Sequence, residues 1–348
     1  MAPTTCEALV IHEINDKSTH VKQQIPTPEP AALQVLVKVS HVAQNPTDVQ
    51  CFDIKAFGNG TVLGCDFVGT VDKIGANVTR VAVGDTIAGL IWGGEVKGIG
   101  AYSEYTIADE KICFRVPEGA TPDQMATVPL AACTSLLALF SKGSLAIDQK
   151  SCAGQTVLVW GGSSSVGLYA VQIAKLYGMD VIATCSPKHF DMVKSVGAKH
   201  VFDYRSDSVV DDIKAAAPDL RYVFDTIGSE TTSQVASEAI TTAGGTLCTV
   251  RPGKVFTDKC SKQTKVTDVL VWTAFLSDHR YKEHFWPANE DDHCLSADFF
   301  KALPSLIRDG KIKANNTKVY TGGLADVDTG FQEHRDGKIS GYKIVYQL

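Results

Sequence analysis

Near its midpoint the chain carries a short apolar run, a turn rich in glycine and serine, and then a helical pattern. Val157–Trp160 has the sequence VLVW, which is typical of a short buried strand. The turn GGSSSVG follows at 161–167. Apolar residues then recur at the spacing of one helix face, at Val166, Ala170, Ile173, Ala174 and Tyr177. The pattern predicts a strand, a tight turn and a helix, in that order.

The same alternation continues as far as Val250. We predict further strands over 180–185, 197–204, 221–227 and 245–250, and helices over 190–196, 209–216 and 234–242. Strands separated by helices of this length form βαβ units, in which helices cover both faces of a parallel sheet. The middle of the chain is therefore predicted to be an α/β domain with a doubly wound parallel sheet.

The two ends of the chain have a different pattern. Short β-like runs over 35–42, 62–74, 86–90 and 102–107 are separated by glycines, which is typical of an antiparallel, barrel-like sheet. After Val250 the pattern loosens, 280–292 is polar, and a helix over 297–309 and a strand over 342–346 follow. This layout predicts a β-rich domain, at 1–130 and 276–348, divided by an inserted nucleotide-binding domain at 131–275.

The glycine-rich turn has the layout of a dinucleotide-binding site, in which backbone N–H groups and a helix N-terminus hold a pyrophosphate. When the G-x-G-x-x-G pattern is aligned on Gly162 and Gly167, its middle glycine is replaced by Ser164. That position normally carries no side chain, because the backbone approaches the phosphate closely. Ser164 must therefore turn its side chain away or place its hydroxyl on the phosphate.

The turn after the second predicted strand indicates which dinucleotide binds. NAD-binding chains place a carboxylate there, whereas the turn at 186–189 has none and Asp180 lies at the opposite end of the strand. The hydroxyl of Ser186 and the ammonium of Lys188 suit a 2′-phosphate, with Tyr204 at the end of the next strand beside it. These residues favour NADPH. The alternative is a helix start whose first turn carries a solvated lysine.

Bulk composition limits the possible classes of function. A length of 348 residues predicts two domains, and a net charge of −6 with a pI near 5.8 gives no electrostatic reason to expect nucleic acid or an anionic membrane. No apolar run approaches the roughly 18 residues of a membrane span, and the first residues do not resemble a signal peptide. The cysteines are scattered, which indicates reduced and mostly buried thiols. We expect a cytoplasmic enzyme.

Six motifs resemble those of the medium-chain dehydrogenase/reductase superfamily. They are NPTD at 45–48, GCDFVGTV at 64–71, VGDTIAGL at 83–90, GAYSEYTIAD at 100–109, VPLAACTSLLAL at 128–139 and GGSSSVG at 161–167. The resemblance implies an α/β protein with a GroES-like β-rich catalytic domain and a Rossmann domain.

Metal binding is not expected. Zinc-dependent members of this superfamily place a cysteine at the position of Asn45 and a His-Glu pair at those of Cys65 and Asp66. A catalytic zinc needs three suitable protein ligands, and Asn45 is not one. A second candidate cluster comprises His279, Glu283, His284 and His293. It lies in a polar segment that we interpret as solvated surface.

Two segments, at 184–206 and 336–348, resemble the fungal trans-acting enoyl reductases. Those monomeric, NADPH-dependent proteins serve polyketide synthases and reduce acyl chains that are tethered to a carrier domain. The resemblance implies hydride transfer to Cβ of an α,β-unsaturated polyketide thioester in secondary-metabolite biosynthesis. Such reductases can carry a lysine two residues after the Asp of NPTD, where this chain has Gln50. The proton donor therefore stays open, with water as one candidate.

Two alternatives to this function are a general zinc-independent quinone or alkenal reductase and a cofactor-binding protein without turnover. The partner of an enoyl reductase of this kind is a carrier domain. A lysine-rich stretch after the last parallel strand offers an attractive patch for an acidic partner, or else is a solvated loop. Its lysines are Lys254, Lys259, Lys262 and Lys265.

The resemblance also implies roles for residues by position. Together with the 2′-phosphate turn, the expected cofactor contacts are Pro46, Asp48, Ser163, Ser164, Ser165, Val166, Ser186, Pro187, Lys188, His189, Tyr204, Val250, Arg251, Ile339 and Ser340. The expected substrate contacts are Leu130, Ala131, Ala132, Cys133, Ser135, Leu136, Leu137, Val271, Trp272, Thr273, Ala274 and Phe275. Thr134 matches a threonine beside the nicotinamide, or else is a buried helix residue bonded to a backbone carbonyl. Tyr102 and Tyr105 are interpreted as packing residues.

Overall fold

The computed structural model describes residues 2–14, 17–281 and 284–348. Its strands form two large sheets and two antiparallel pairs. In chain order they are β1 (Thr5–Ile14), β2 (Lys17–Pro26), β3 (Gln34–Ala43), β4 (Asp66–Ile74), β5 (Thr86–Leu90), β6 (Tyr105–Asp109), β7 (Cys113–Arg115), β8 (Thr156–Trp160), β9 (Asp180–Cys185), β10 (His200–Asp203), β11 (Tyr222–Asp225), β12 (Thr246–Thr249), β13 (Lys265–Asp268), β14 (His279–Tyr281), β15 (His284–Trp286), β16 (Thr317–Tyr320) and β17 (Lys343–Gln347).

The helices lie between these strands. The α-helices are α1 (Pro46–Asp53), α2 (Pro122–Ala126), α3 (Pro129–Phe140), α4 (Ser165–Leu176), α5 (Phe190–Ser195), α6 (Val209–Ala216), α7 (Glu230–Glu238), α8 (Glu290–Arg308) and α9 (Val327–Arg335). Single 3-10 turns lie at Pro187–His189, Pro252–Lys254, Val271–Ala274 and Gly323–Asp326.

The middle of the chain forms a six-stranded parallel sheet in the order β10-β9-β8-β11-β12-β13. From β8 the chain moves outward through β9 and β10, and then returns to place β11 on the other side of β8. The strand order therefore reverses between β8 and β11. In sheets of this kind, ligands bind at the carboxyl ends of the strands beside the reversal. The predicted doubly wound parallel sheet is confirmed.

Strands from both ends of the chain share the second large sheet. Its order is β16-β17-β3-β4-β5-β7, with β6 paired to β3. The terminal strand β17 runs antiparallel to β3, with Val345 opposite Ala43. The fold is thus a GroES-like β-rich part and a Rossmann-like parallel sheet, as expected. The division at 130/131 and 275/276 stays our proposal for the domain boundaries.

Two predicted helices are wrong at their boundaries. The helix predicted over 234–242 begins at Glu230, because the hydroxyl of Ser229 caps it by accepting the Thr232 amide at 3.2 Å. The helix predicted from Ala297 begins at Glu290, within the stretch expected to be a polar loop. The carboxylates of that first turn interact favourably with the helix N-terminus, so a polar sequence is compatible with helix there.

Helix α3 lies in the core of the molecule. Every one of its residues is buried, and it packs against α4, α8 and the 3-10 turn at 271–274. The segment Pro122–Phe140 is long and apolar enough to cross a membrane by composition, which the sequence analysis did not anticipate. Since 89% of that segment is buried inside the protein, it serves here as core.

The cysteines are all free thiols, and most of them are buried as expected. Cys294 is the exposed one, while Cys51 and Cys260 are half-buried. Burial raises the pKa of several of these thiols, for example that of Cys133 to about 12. Such thiols behave as apolar core residues rather than as nucleophiles.

Candidate cofactor and active site

The glycine-rich turn connects β8 to α4 at the carboxyl edge of the parallel sheet, beside the strand reversal. Ser164 is the N-cap of α4, and its hydroxyl accepts the Gly167 amide at 2.9 Å. The same hydroxyl lies 2.8 Å from Oγ1 of Thr226, which itself donates to backbone carbonyls of the turn. The proton of Ser164 is therefore directed to Thr226. The Ser164 hydroxyl is thus bonded within the protein, which favours the first of the two possibilities given above, a side chain that turns away from the phosphate.

Glycine is required at two positions of this turn. A Cβ on Gly167 would lie 2.2 Å from the Gly161 carbonyl oxygen, and Gly161 has a φ of 84°. The turn therefore packs closely against the start of α4, whose first amides, at Ser165 and Val166, have no carbonyl within the helix to bond. These amides belong to partly exposed residues, and together with that of Ser163 they suit a pyrophosphate. The turn fits the dinucleotide that the sequence predicts.

The predicted 2′-phosphate residues lie together at the next two strand ends. Ser186 follows β9, and Pro187–His189 is a 3-10 turn. Since Asp203 pairs with Cys185, Tyr204 emerges beside Ser186, and it is 44% exposed. Lys188 is exposed and forms no ion pair within the described residues. Asp180 lies at the far end of β9, where it binds Lys199.

An arginine that the sequence analysis did not consider borders this turn. The Arg205 guanidinium donates to the Asp203 carboxylate through two nitrogens, each at 3.0 Å, and lies 5.6 Å from the centre of the Tyr204 ring. Arg205 directly follows Tyr204, which was predicted at the end of the strand. That position was the signal by which Arg205 could have been found. The positive charge of Arg205 is paired with the Asp203 carboxylate.

Three hydrogen bonds join predicted site residues that are far apart in sequence. The His189 ring lies 2.9 Å from the Ser340 hydroxyl, which brings the C-terminal segment that contains Ile339 to the turn at 186–189. The Ser135 hydroxyl of α3 donates to the Val166 carbonyl at 2.8 Å. The third bond joins Arg251 to α1.

Arg251, which follows Val250 after β12, forms a hydrogen bond with the β-rich part. It donates to the Gln50 side-chain oxygen at 2.9 Å and to the Gly228 carbonyl at 3.1 Å. Burial lowers the pKa of Arg251, and Asp225 opposes that effect. Gln50, where related reductases can have a lysine, is thus the hydrogen-bond partner of a cation from the parallel-sheet part.

A buried polar cluster lies at the start of α1. Asp48 accepts the Asn45 amide at 2.7 Å, the Tyr102 hydroxyl at 3.2 Å and the Cys65 thiol at 3.2 Å. Burial raises the pKa of Asp48 to about 6. Pro46 is exposed at the first position of the helix. Tyr102 and Tyr105 are buried, the first with its hydroxyl on Asp48.

The predicted substrate residues divide into buried and partly exposed ones. Those on α3 are buried, and so are Val271, Trp272 and Ala274, which belong to the same hydrophobic core. Trp272 stacks on Trp92 with ring centres 4.8 Å apart. Thr273 and Phe275 are partly exposed.

Thr134 is 5% exposed. Within the part of the chain that the structure describes, its hydroxyl has no hydrogen-bond partner, in contrast to that of Ser135, which bonds the Ala131 carbonyl at 2.9 Å. The bond to a backbone carbonyl that the alternative interpretation needs is therefore not made by Thr134.

Comparison with known proteins decides the family. Residues 31–118 match the alcohol dehydrogenase GroES-like domain, and residues 165–258 match the zinc-binding dehydrogenase family. The chain is 34% identical to a trans-enoyl reductase of Gibberella fujikuroi over 322 residues, covering 90% of each. It is 33% identical to a trans-enoyl reductase of Alternaria alternata, over 94% of this chain and 95% of the other.

The chain belongs to the medium-chain dehydrogenase/reductase superfamily. A solved alcohol dehydrogenase superfamily protein from Novosphingobium aromaticivorans has the same fold, with a TM-score of 0.78 and 23% identity over 99% of both chains.

At the positions where zinc-dependent members of the superfamily bind their metal, this chain has an ion pair. Asp66 is fully buried and accepts Lys343 Nζ at 2.5 Å, the Asn45 side-chain amide at 2.9 Å and the Leu130 amide at 2.7 Å. The side chain of Lys343 is 4% exposed. The sequence analysis missed Lys343, which lies in the C-terminal segment that supplied the reductase resemblance.

The second candidate metal cluster is not solvated surface. His279 is 2% exposed and bonds Glu95 at 2.8 Å, and His293 is 5% exposed and bonds the Ala274 carbonyl at 2.8 Å. That interpretation was wrong, because the polar segment folds back onto the core. Glu283 lies outside the described residues. Among the residues described, no three potential metal ligands come together.

The raised pKa of Asp48 predicts a pH dependence of stability. The folded protein binds the Asp48 proton more tightly than the unfolded chain, whose pKa is near 3.8, so the free energy of unfolding falls as pH rises from about 4 to about 6. The expected contribution is about 3 kcal/mol. Asp48→Asn keeps an oxygen for the Asn45 amide and removes this trend. Urea unfolding at several pH values measures the difference between the two proteins.

The control is Asp148→Asn. Asp148 is exposed, and a hydrogen bond from the Lys150 amide lowers its pKa. Its contribution to the free energy of unfolding therefore rises with pH, whereas that of Asp48 falls. A stability difference between the wild type and Asp48→Asn that is constant from pH 4 to pH 7 would contradict the prediction.

Proposed function

We propose that this chain is an NADPH-dependent, trans-acting enoyl reductase that reduces a polyketide thioester carried by a partner synthase. The observation that carries the proposal is the identity of 34% to a trans-enoyl reductase over 90% of both chains. A bound nicotinamide cofactor supplies a hydride for Cβ of the conjugated thioester. The protein binds and orients both partners and excludes water.

The contacts described above support roles for individual residues. The amides of Ser163, Ser165 and Val166, all partly exposed residues, bind the pyrophosphate, as the start of a helix favours. Thr134, whose hydroxyl has no partner within the described residues, is proposed to donate to the substrate side of the cofactor. The hydrogen bond from Arg251 holds the Gln50 side chain in place. The proton donor to Cα stays open, with water as one candidate.

The assay that tests the class uses NADPH with α,β-unsaturated thioesters, quinones and alkenals. Reduction of thioesters supports the proposal. Oxidation of NADPH by quinones or alkenals alone would replace it with a general reductase, and tight binding without turnover would replace it with a cofactor-binding protein. Because Asn45, Cys65 and Asp66 form hydrogen bonds here, we propose that no metal takes part, and activity should survive prolonged chelation.

The choice of NADPH over NADH rests on Lys188. Removing a charge-assisted contact to the 2′-phosphate weakens binding roughly ten- to a hundredfold. We therefore expect Lys188→Ala to bind NADPH that much more weakly and NADH almost as before, as measured by fluorescence titration. Lys194→Ala is the matched control, since Lys194 is also exposed and lies on the following helix. Equal weakening for both cofactors would refute the role of Lys188.

The partner is proposed to be the carrier domain of a polyketide synthase, met by a cytoplasmic monomer. The patch lysines Lys254, Lys259, Lys262 and Lys265 are all exposed, although Lys259 pairs with Glu230 at 3.1 Å. Beside them Val255 and Phe256 are 46% and 51% exposed. This surface combines positive charge and apolar side chains, and lies directly after Arg251.

Carrier recognition predicts a kinetic difference. A carrier-bound enoyl thioester should have a kcat/KM at least about tenfold above that of the same acyl group on a short thiol, because carrier contacts add transition-state binding. Steady-state assays on both substrates measure it. Equal values would remove the carrier from the proposal while leaving enoyl reduction intact.

A further inference from the structure

A groove of about 270 Å³ lies beside the first turns of α8, outside the proposed cofactor and substrate contacts. Arg80, Lys111 and Lys301 bring three positive charges to its wall, and Asp298 brings one carboxylate. His293 also lines it. The groove is therefore positively charged on a protein whose net charge is −6.

The position of Arg80 is fixed while part of its guanidinium stays available. Nη1 donates to the Lys111 carbonyl at 3.0 Å and to the Ala297 carbonyl at 3.4 Å, which ties the segment between β4 and β5 to α8. Nε and Nη2 have no partner among the described residues. A guanidinium held in this way presents a fork of donors, the geometry that binds phosphate oxygens.

His293 adds an unpartnered ring nitrogen on a residue that is almost fully buried. The residue is 5% exposed, and Nδ1 lies 2.8 Å from the Ala274 carbonyl. Because a carbonyl only accepts, Nδ1 carries a proton, and Nε2 is left without a protein partner in the described ranges. Nε2 is not among the fully buried atoms that lack a partner. Because His293 lines the groove, this nitrogen is open to a ligand bound there.

We propose that this groove binds a phosphate ester. Three cations against one lining carboxylate favour an anion over a metal. A phosphate offers several oxygens at once, to the Arg80 fork, to the two lysines and to the His293 ring.

The phosphate has two possible sources. It is either a free phosphorylated metabolite or the phosphate of the carrier's pantetheine arm. The second source rests on the proposed function. It is supported by the bond from His293 to Ala274, which places the groove one imidazole ring away from the predicted substrate segment at 271–275.

Calorimetric titration with inorganic phosphate and with pantetheine 4′-phosphate tests the proposal. His293→Asn keeps an amide donor for the Ala274 carbonyl and removes Nε2, and should weaken binding of both probes about tenfold or more. The double variant Lys111→Ala, Lys301→Ala changes only exposed residues and should weaken binding similarly. Lys150→Ala, at an exposed lysine outside the groove, is the control and should bind as the wild type does.

The two titrations distinguish the possible sources of the phosphate. Binding of pantetheine 4′-phosphate at least tenfold tighter than phosphate supports the carrier arm as the source, and equal binding supports a free metabolite. Unchanged affinity in both groove variants overturns the proposal. If His293→Asn does not fold, ¹⁵N spectra of the wild-type histidines decide, since bound phosphate must change the chemical shift of Nε2 of His293. These measurements involve no turnover, so they are independent of enoyl reduction.

Discussion

Replacing Lys343 with methionine is expected to lower the free energy of unfolding by about 3–5 kcal/mol. The variant keeps the bulk of the side chain but leaves the fully buried Asp66 without its cation. The remaining donors to Asp66, the Leu130 amide and the Asn45 side chain, are neutral and compensate only part of the charge. Denaturant unfolding followed by circular dichroism measures the loss.

Two further variants make this experiment specific. Asp66→Asn in the Lys343→Met background removes the unpaired charge of the Asp66 carboxylate and should recover more than half of the lost stability. Lys338→Met breaks an exposed pair with Asp336 at 2.8 Å, and should cost between 0 and about 1 kcal/mol. A loss below about 1 kcal/mol in Lys343→Met would mean that the pair is not as buried as the structure shows.

Gly167→Ala is expected to weaken dinucleotide binding at least about a hundredfold, equivalent to about 2.7 kcal/mol. The added Cβ would lie 2.2 Å from the Gly161 oxygen and 2.9 Å from the Gly162 Cα. Both neighbours are backbone, so the turn must move, and its amides move with it. Overpacking of this kind also costs about 1–3 kcal/mol of stability. Fluorescence titration with NADPH measures the affinity.

The matched control is Gly143→Ala. Its Cβ would meet the Ser141 hydroxyl at 3.7 Å, an ordinary contact, in an exposed turn. It should leave cofactor affinity and stability nearly unchanged. If Gly167→Ala bound NADPH within tenfold of the wild type, the assignment of the 161–167 turn to the pyrophosphate would fail.

Local chemistry explains which elements the sequence predicted well. The strand over 180–185 and the helix over 209–216 were predicted with the bounds that the structure has, because each carries its own apolar pattern. The start of α7 was missed because it depends on the hydroxyl of Ser229 rather than on apolar spacing. The polar first turn of α8 was missed for a similar reason, since Asn289 caps it through the Asp292 amide.

For the site, the turn at 161–167 and the residues after β9 were predictable, because a phosphate is bound by a short stretch of backbone and side chains contiguous in sequence. The sequence by itself determined the parallel sheet, the glycine-rich turn and the absence of a zinc-type ligand at Asn45. Only the tertiary structure decided that Asp66 is paired with Lys343, 277 residues away, that Gln50 meets Arg251, and that His293 is buried. These contacts join side chains from distant segments, and no periodicity along the chain encodes which segments meet.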